Sequence, residues 1–111
     1  MAQFAVLLYD DPSGWAKLSP EEMQKALEKY SAWGKHAFIK ASQRLAEDTG
    51  KVLRSAAGKP RAADGPYSET KEILGGFYLI EAADYEEAVK RTLDHPHLEH
   101  GTIEIRKLYG Q

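Results

Sequence analysis

Apolar and polar positions follow two different periods along this chain, and the switches between them mark its elements. "QFAVLLY" (3–9) is a short apolar run rich in strand formers and stopped by "DDPSG", which predicts a first strand. Phe4, Val6 and Leu8 fall on one face, with Ala5, Leu7 and Tyr9 on the other. Both faces are apolar, as in a central strand covered on each side. From Ser19 to Phe38 the period lengthens: Met23, Ala26, Leu27, Tyr30, Trp33, Ala37 and Phe38 make one wide stripe, the pattern of an amphipathic helix. "SPEE" opens it as a capping box, with Ser19 accepting from the Glu22 N–H and Pro20 at the first helical position. Gly34 weakens the interior by about 1 kcal/mol relative to Ala, yet the stripe runs on, so the helix is expected to end near residue 39.

Residues 42–64 fit short strands at 42–46, 51–55 and 60–63, with "DTG" and "AAGK" as turns. "GGFYLIEA" (75–82) is the strongest strand, with Phe77 and Leu79 facing one way and Tyr78 and Ile80 the other. Asp84 and Glu87 form a second capping box. It opens a helix predicted over 85–94, whose inner side offers Tyr85, Ala88, Val89, Thr92 and Leu93. "TIEIRKLY" (102–109) alternates as the last strand. The order is β-α-β-β-α-β with an extra central hairpin, an α+β chain of the ferredoxin-like plan. Two helices cover only one face of such a sheet. The opposite face carries its own apolar set, so a homodimer pairing sheet to sheet is expected.

Length and composition narrow the function. A chain of 111 residues makes one domain, 1–111. It has no cysteine, which removes disulfides, thiolate catalysis and cysteine metal sites and suits a reducing, cytoplasmic setting. The N-terminus lacks a basic n-region and its apolar run is too short for a bilayer, so neither signal peptide nor membrane span is expected. Lys plus Arg number 15 against 17 Asp plus Glu, for a formal charge of −2. The cations are scattered among acids, and nucleic acid is not an expected partner.

The candidate chemistry concentrates in "DGPYSETKE" (64–72). Asp64-Gly65-Pro66 is a turn that also sets a carboxylate in place. Tyr67 offers an aromatic wall with a hydroxyl. Glu69 and Lys71 share one side of an extended segment and Glu72 lies opposite. A carboxylate beside a lysine can accept a proton or hold a polar ligand. A plain turn followed by a solvated charged face accounts for the same residues without chemistry. In "HPHLEH" (95–100) the histidines straddle Pro96, which breaks the helix and denies them an i,i+4 pairing; no metal is expected. His100, directly before Gly101 and the last strand, is an imidazole able to titrate near neutrality. Arg106 is placed to pair with Glu104 or with an anionic ligand. No nucleophile elbow or phosphate loop occurs, so no cofactor is expected.

The stretch "DGPYSETKEILGGFYLIEAADYEEAVKRTLDHPHLEHGTIEIR" (64–106), with the opening "FAVLLYDDPSGWAKLSPEEM" (4–23), resembles the YCII-related superfamily, in its DGPF-domain branch. The matching positions are Asp64, Gly65, Pro66, Glu69, Thr70, Lys71, Glu72, Gly75, Gly76, His100, Gly101, Glu104 and Arg106, with Tyr67 in place of the usual Phe. The resemblance implies a ferredoxin-like fold of the dimeric α/β-barrel type and a regulatory link to a sigma factor. It also implies a His–Asp pair that this chain does not reproduce. Its first helix has no histidine before His36, and Pro96 is preceded by His95 with Asp94 one position further back.

Two functions fit these residues. One is a dimeric protein that binds a small polar metabolite or regulates a partner. The other is a cofactor-free acid–base enzyme of the isomerase or lyase type, with Asp64, Glu69 and His100 as catalytic groups and Tyr67, Lys71 and Arg106 holding the ligand.

Overall fold

The structure is a computed structural model and describes residues 1–110. Strand β1 (Ala2–Asp10) runs into a short helix α1 (Pro12–Ala16), a longer helix α2 (Pro20–Trp33) and strand β2 (Ile39–Arg44). Strands β3 (Lys51–Ala56) and β4 (Lys59–Asp64) form a hairpin. Strand β5 (Ile73–Ala82), helix α3 (Tyr85–Thr92), a 3₁₀ turn (Pro96–Glu99) and strand β6 (Thr102–Lys107) complete the chain. The main sheet has the order β2-β5-β1-β6 and every pair is antiparallel.

Burial follows the pleat. Phe4, Val6, Leu8 and Asp10 of β1 and Gly76, Tyr78, Ile80 and Ala82 of β5 point to the buried face, where Trp33 of α2 and Ala88 of α3 close the core. Phe4, Val6 and Ile80 are fully buried, each stabilising the fold by roughly 1.5–3 kcal/mol. The opposite face, with Ala5, Leu7, Phe77 and Leu79, is only half-buried.

The expected ferredoxin-like fold of the dimeric α/β-barrel type is corrected here. The molecule is α+β with two separate antiparallel sheets, neither closed into a barrel. Among the described residues, strands β3 and β4 pair only with each other, while β2 and β6 are the edges of the main sheet. The hairpin stands away from the core, with all of β4 exposed. Accordingly the chain is a flattened body of 45 × 43 × 19 Å, with a radius of gyration of 15.9 Å. A compact domain of this length would have roughly 13 Å.

Local expectations shift for physical reasons. Helix α2 ends at Trp33 because Gly34 takes the cap, its N–H bonding the Tyr30 carbonyl at 2.9 Å. Phe38, expected on the helical stripe, instead meets Trp33 from the following turn, ring centroids 5.7 Å apart. Helix α1 and the 3₁₀ turn were invisible to periodicity, being too short to complete a repeat. Among the described residues, no helix is long and apolar enough to cross a membrane.

Candidate functional site

The buried face of β1 ends in a carboxylate. Asp10 keeps the parity of Phe4, Val6 and Leu8, and it is 7% exposed. The register between β1 and β5 slips after Leu8, where Gly75 is the extra residue, a bulge of the kind that re-aims a side chain. Immediately after it, Asp11 caps α1 by accepting from the Ser13 N–H, with Pro12 at the first helical position. That single turn brings Trp15 back so that its indole Nε1–H donates to Asp10 Oδ2.

Histidines arrive from the other end of the chain. His95 caps the 3₁₀ turn, its Nδ1 accepting from the His97 backbone N–H at 2.9 Å. With three residues per turn, positions i and i+3 eclipse, which sets His97 and His100 side by side with ring centroids 5.0 Å apart. His97 is buried at 2% exposure. Tyr30 of α2 lies between them, its hydroxyl 2.6 Å from His97 Nδ1 and 3.1 Å from His100 Nε2.

The donors and acceptors of this chain follow from its ends. His97 Nε2 lies 2.7 Å from the Tyr9 carbonyl oxygen, which can only accept, so the proton sits on Nε2. Its Nδ1 must then accept from the Tyr30 O–H. With its proton committed, Tyr30 accepts from His100 Nε2–H. His100 Nε2 is 3.9 Å from Asp10 Oδ2, close enough to be an ion pair when the imidazole is protonated. Glycine at 101 makes room for this: a Cβ there would run into both His97 Nε2 and the Tyr9 carbonyl.

Burial sets the charge states. It pushes the Tyr30 phenol well above its ordinary value; the Asp10 charge adds to this and Arg44 opposes it. Tyr30 is therefore neutral. Burial likewise lowers His97, against the opposing effects of the Tyr9 carbonyl and Asp10, in keeping with a neutral imidazole. His95 is pushed down to about 4 by burial and then by His97. Its Nδ1 already accepts from the His97 N–H, so Nε2–H faces the Tyr78 hydroxyl at 3.1 Å.

Asp10, Tyr30 and His97 line a cleft of about 300 Å³. Most of its wall is apolar, with Leu8, Trp15, Leu27, Leu45 and Ile73, and among the described residues Arg44 is the one cation on it. Asp10, His97 and His100 also bring one ligand atom each within 4.8 Å of one another, a carboxylate and two imidazoles of the types that suit a transition metal. Both nitrogens of His97 are already engaged. A cation here has to displace either the Tyr9 carbonyl or Tyr30.

The residues singled out from the sequence lie in three places. His100 is in the cluster. Asp64 is an exposed partner of Lys51 at the base of the hairpin, Tyr67 is 76% exposed with Arg54 over its ring at 5.5 Å, and Glu69 is exposed. None of residues 64–72 lines the cleft. The end of that loop comes nearest: Lys71 lies within electrostatic reach of Asp11. Glu72 accepts from Thr102 Oγ1 at 2.8 Å, and its charge reaches His97. Arg106 sits opposite Ala5, on the face of the sheet away from the cleft, 4.0 Å from Glu104. Asp10, Trp15, Tyr30, Arg44 and His97 escaped sequence reasoning. Two signals pointed to them: a carboxylate at the buried parity of β1, and a His-x-x-His spacing directly after a helix-starting proline.

Comparison with known proteins adds the family. A YCII-related domain model matches residues 2–110. The chain belongs to the YCII-related family. It is similar to an uncharacterized protein of Rhizobium meliloti (strain 1021), 36% identical over 113 residues that cover 95% of this chain and 90% of that relative. In this YCII-related chain the contact between His100 and Asp10 joins residues distant in sequence.

Proposed function

We propose that this YCII-related protein is an acid–base enzyme that moves a proton on a small organic molecule held in the cleft, in an isomerase- or lyase-type reaction. The observation that carries the reading is the ordered chain His100 Nε2–H to Tyr30 to His97 to the Tyr9 carbonyl, set beside the buried Asp10 carboxylate. Asp10 is the base: it lines the cleft and one of its oxygens is fixed by Trp15. Tyr30 is the neutral donor. The Tyr30 hydroxyl turns from His97 to give its proton to a substrate oxygen and takes another from the imidazolium form of His100, which is left as the neutral imidazole. General acid–base groups of this kind contribute about 10²- to 10⁴-fold each.

The test is deuterium exchange. Small ketones, keto acids and enolisable acids are incubated with the protein in D2O, and loss of their C–H signals is followed by proton NMR. Exchange above the buffer rate that disappears in Asp10→Asn supports the reading, and no exchange across the panel overturns it. A second reading, metabolite binding without turnover, is favoured by the largely apolar cleft wall, and its signature is saturable binding with no exchange.

Membership of the DGPF branch is proposed on the motif at 64–76. A regulatory link to a sigma factor rests on the resemblance and on no residue of this cleft. We also propose self-association through the half-buried face bearing Leu7, Phe77 and Leu79. Sedimentation then gives about twice 12.4 kDa, and a strict monomer removes the idea.

A further inference from the structure

We infer that the cleft takes a monocarboxylate with an apolar body, anchored through its carboxylate on Arg44; this rests on the proton-transfer reading of the same site. Arg44 is the last residue of β2 and pairs with Gly76 of β5, whose parity is that of Tyr78 and Ile80 on the helix side of the sheet. Its side chain therefore leaves the strand on the side of the cleft. The guanidinium lies over the Trp15 indole at 5.8 Å, and the same indole holds Asp10. One aromatic ring thus links the anchor to the base. Arg44 acts electrostatically on Tyr30 as well, opposing the rise of its pKa.

The guanidinium remains open to a ligand. Among the described residues its one side-chain hydrogen bond runs from Nη2 to Glu47 at 2.8 Å, a pair three residues apart whose members are both more than half exposed. Such a pair holds weakly, and a guanidinium has five N–H donors in a planar fork that fits a carboxylate at two points. Charge then limits the ligand. Among the described residues the cleft wall carries one cation against two acids, Asp10 and Glu47, so a dianionic phosphate or dicarboxylate would meet repulsion that a monocarboxylate largely escapes. The apolar wall excludes strongly polar bodies such as sugars, whose hydroxyls would lose water without gaining partners.

The experiment uses matched pairs in which only the charge differs: benzoate and benzamide, phenylacetate and phenylacetamide, isovalerate and isovaleramide. Each is titrated against the full-length protein by ligand-observed NMR. At least one acid is expected to bind about tenfold or more tightly than its amide, given the strength of a charge-assisted fork. Arg44→Gln should erase that preference, while Arg61→Gln on the exposed hairpin keeps it. Equal binding of acid and amide, no binding of any acid, or an acid preference that survives Arg44→Gln overturns the inference. The two readings fail separately. Deuterium exchange without acid preference removes the anchor and leaves proton transfer standing, whereas acid preference without exchange does the reverse.

Discussion

Residues 64–72 hold Asp64, Glu69, Lys71 and Glu72 within nine positions, and residues 95–101 hold three histidines within seven. The first stretch looks the richer in chemistry, yet the fold leaves most of it in water. In the second, His95 and His97 are each 2% exposed and every ring nitrogen of His97 has a partner. Density of charge along a chain reports chiefly on solvation. Reactivity depends on a few titratable groups being taken out of water together and given defined partners, and that depends on contacts such as Tyr30 to His97, 67 residues apart.

The sharpest way to break this contrast is Tyr30→Phe. The change leaves His97 Nδ1 without a donor and His100 Nε2 without an acceptor. Deuterium exchange should fall about 10²- to 10⁴-fold, and stability by about 1–3 kcal/mol for the buried nitrogen left unpaired. A wild-type exchange rate in this variant would separate the histidine cluster from function.

Acid is the next probe. His95 has a folded-state pKa of about 4, below the roughly 6.5 of an unfolded histidine. The unfolded chain therefore binds more protons between those values, and stability falls as pH drops from about 6.5 to about 4. From His95 the loss is about 3 kcal/mol, with His97 shifted in the same direction. Urea unfolding at pH 7, 5.5 and 4 measures it, and a flat profile counts against a buried neutral His95.

Gly65→Val separates scaffold from site within the loop. A Cβ at 65 collides with the Thr49 carbonyl, and the added bulk should destabilise by about 1–3 kcal/mol. The hairpin base would loosen while the exchange rate per folded molecule stays unchanged, as paired thermal melts and exchange assays would show. The smallest effect is expected from Glu69→Gln, an exposed change that should stay within about 0.5 kcal/mol and leave exchange intact. A large loss of exchange there would return the active centre to the loop.

Much of the fold was legible because long elements repeat their pattern. Strands β1 and β5, the capping box of α2 and the start of α3 all lie where alternation and caps put them. The arrangement of strands into two open sheets was not legible, since nothing local in Lys51–Asp64 states that the hairpin pairs only with itself. In the site, His100 was legible as a titratable residue before the last strand. Tyr30 was hidden inside an apolar stripe, where its ring does pack against Trp15 with centroids 5.8 Å apart while its hydroxyl does something else. Asp10 read as part of a strand stop, although it continues the buried parity of Leu8. Pro96 suggested dispersal of the histidines. It instead begins a tight turn that gathers them.

Gly101 carries a consequence for inheritance. It has no group that could touch a substrate, yet the hydrogen bond fixing the His97 tautomer occupies the space where any other residue would begin its side chain. Selection for proton transfer would therefore act on a residue with no chemistry of its own. A descendant that acquired even a methyl group at 101 would have to move either the 3₁₀ turn or the end of β1, and with them the partner that tells His97 which nitrogen bears the proton. Among relatives, replacement of this glycine should travel with loss or relocation of His97, and a search for members that have abandoned the reaction can begin at that one position.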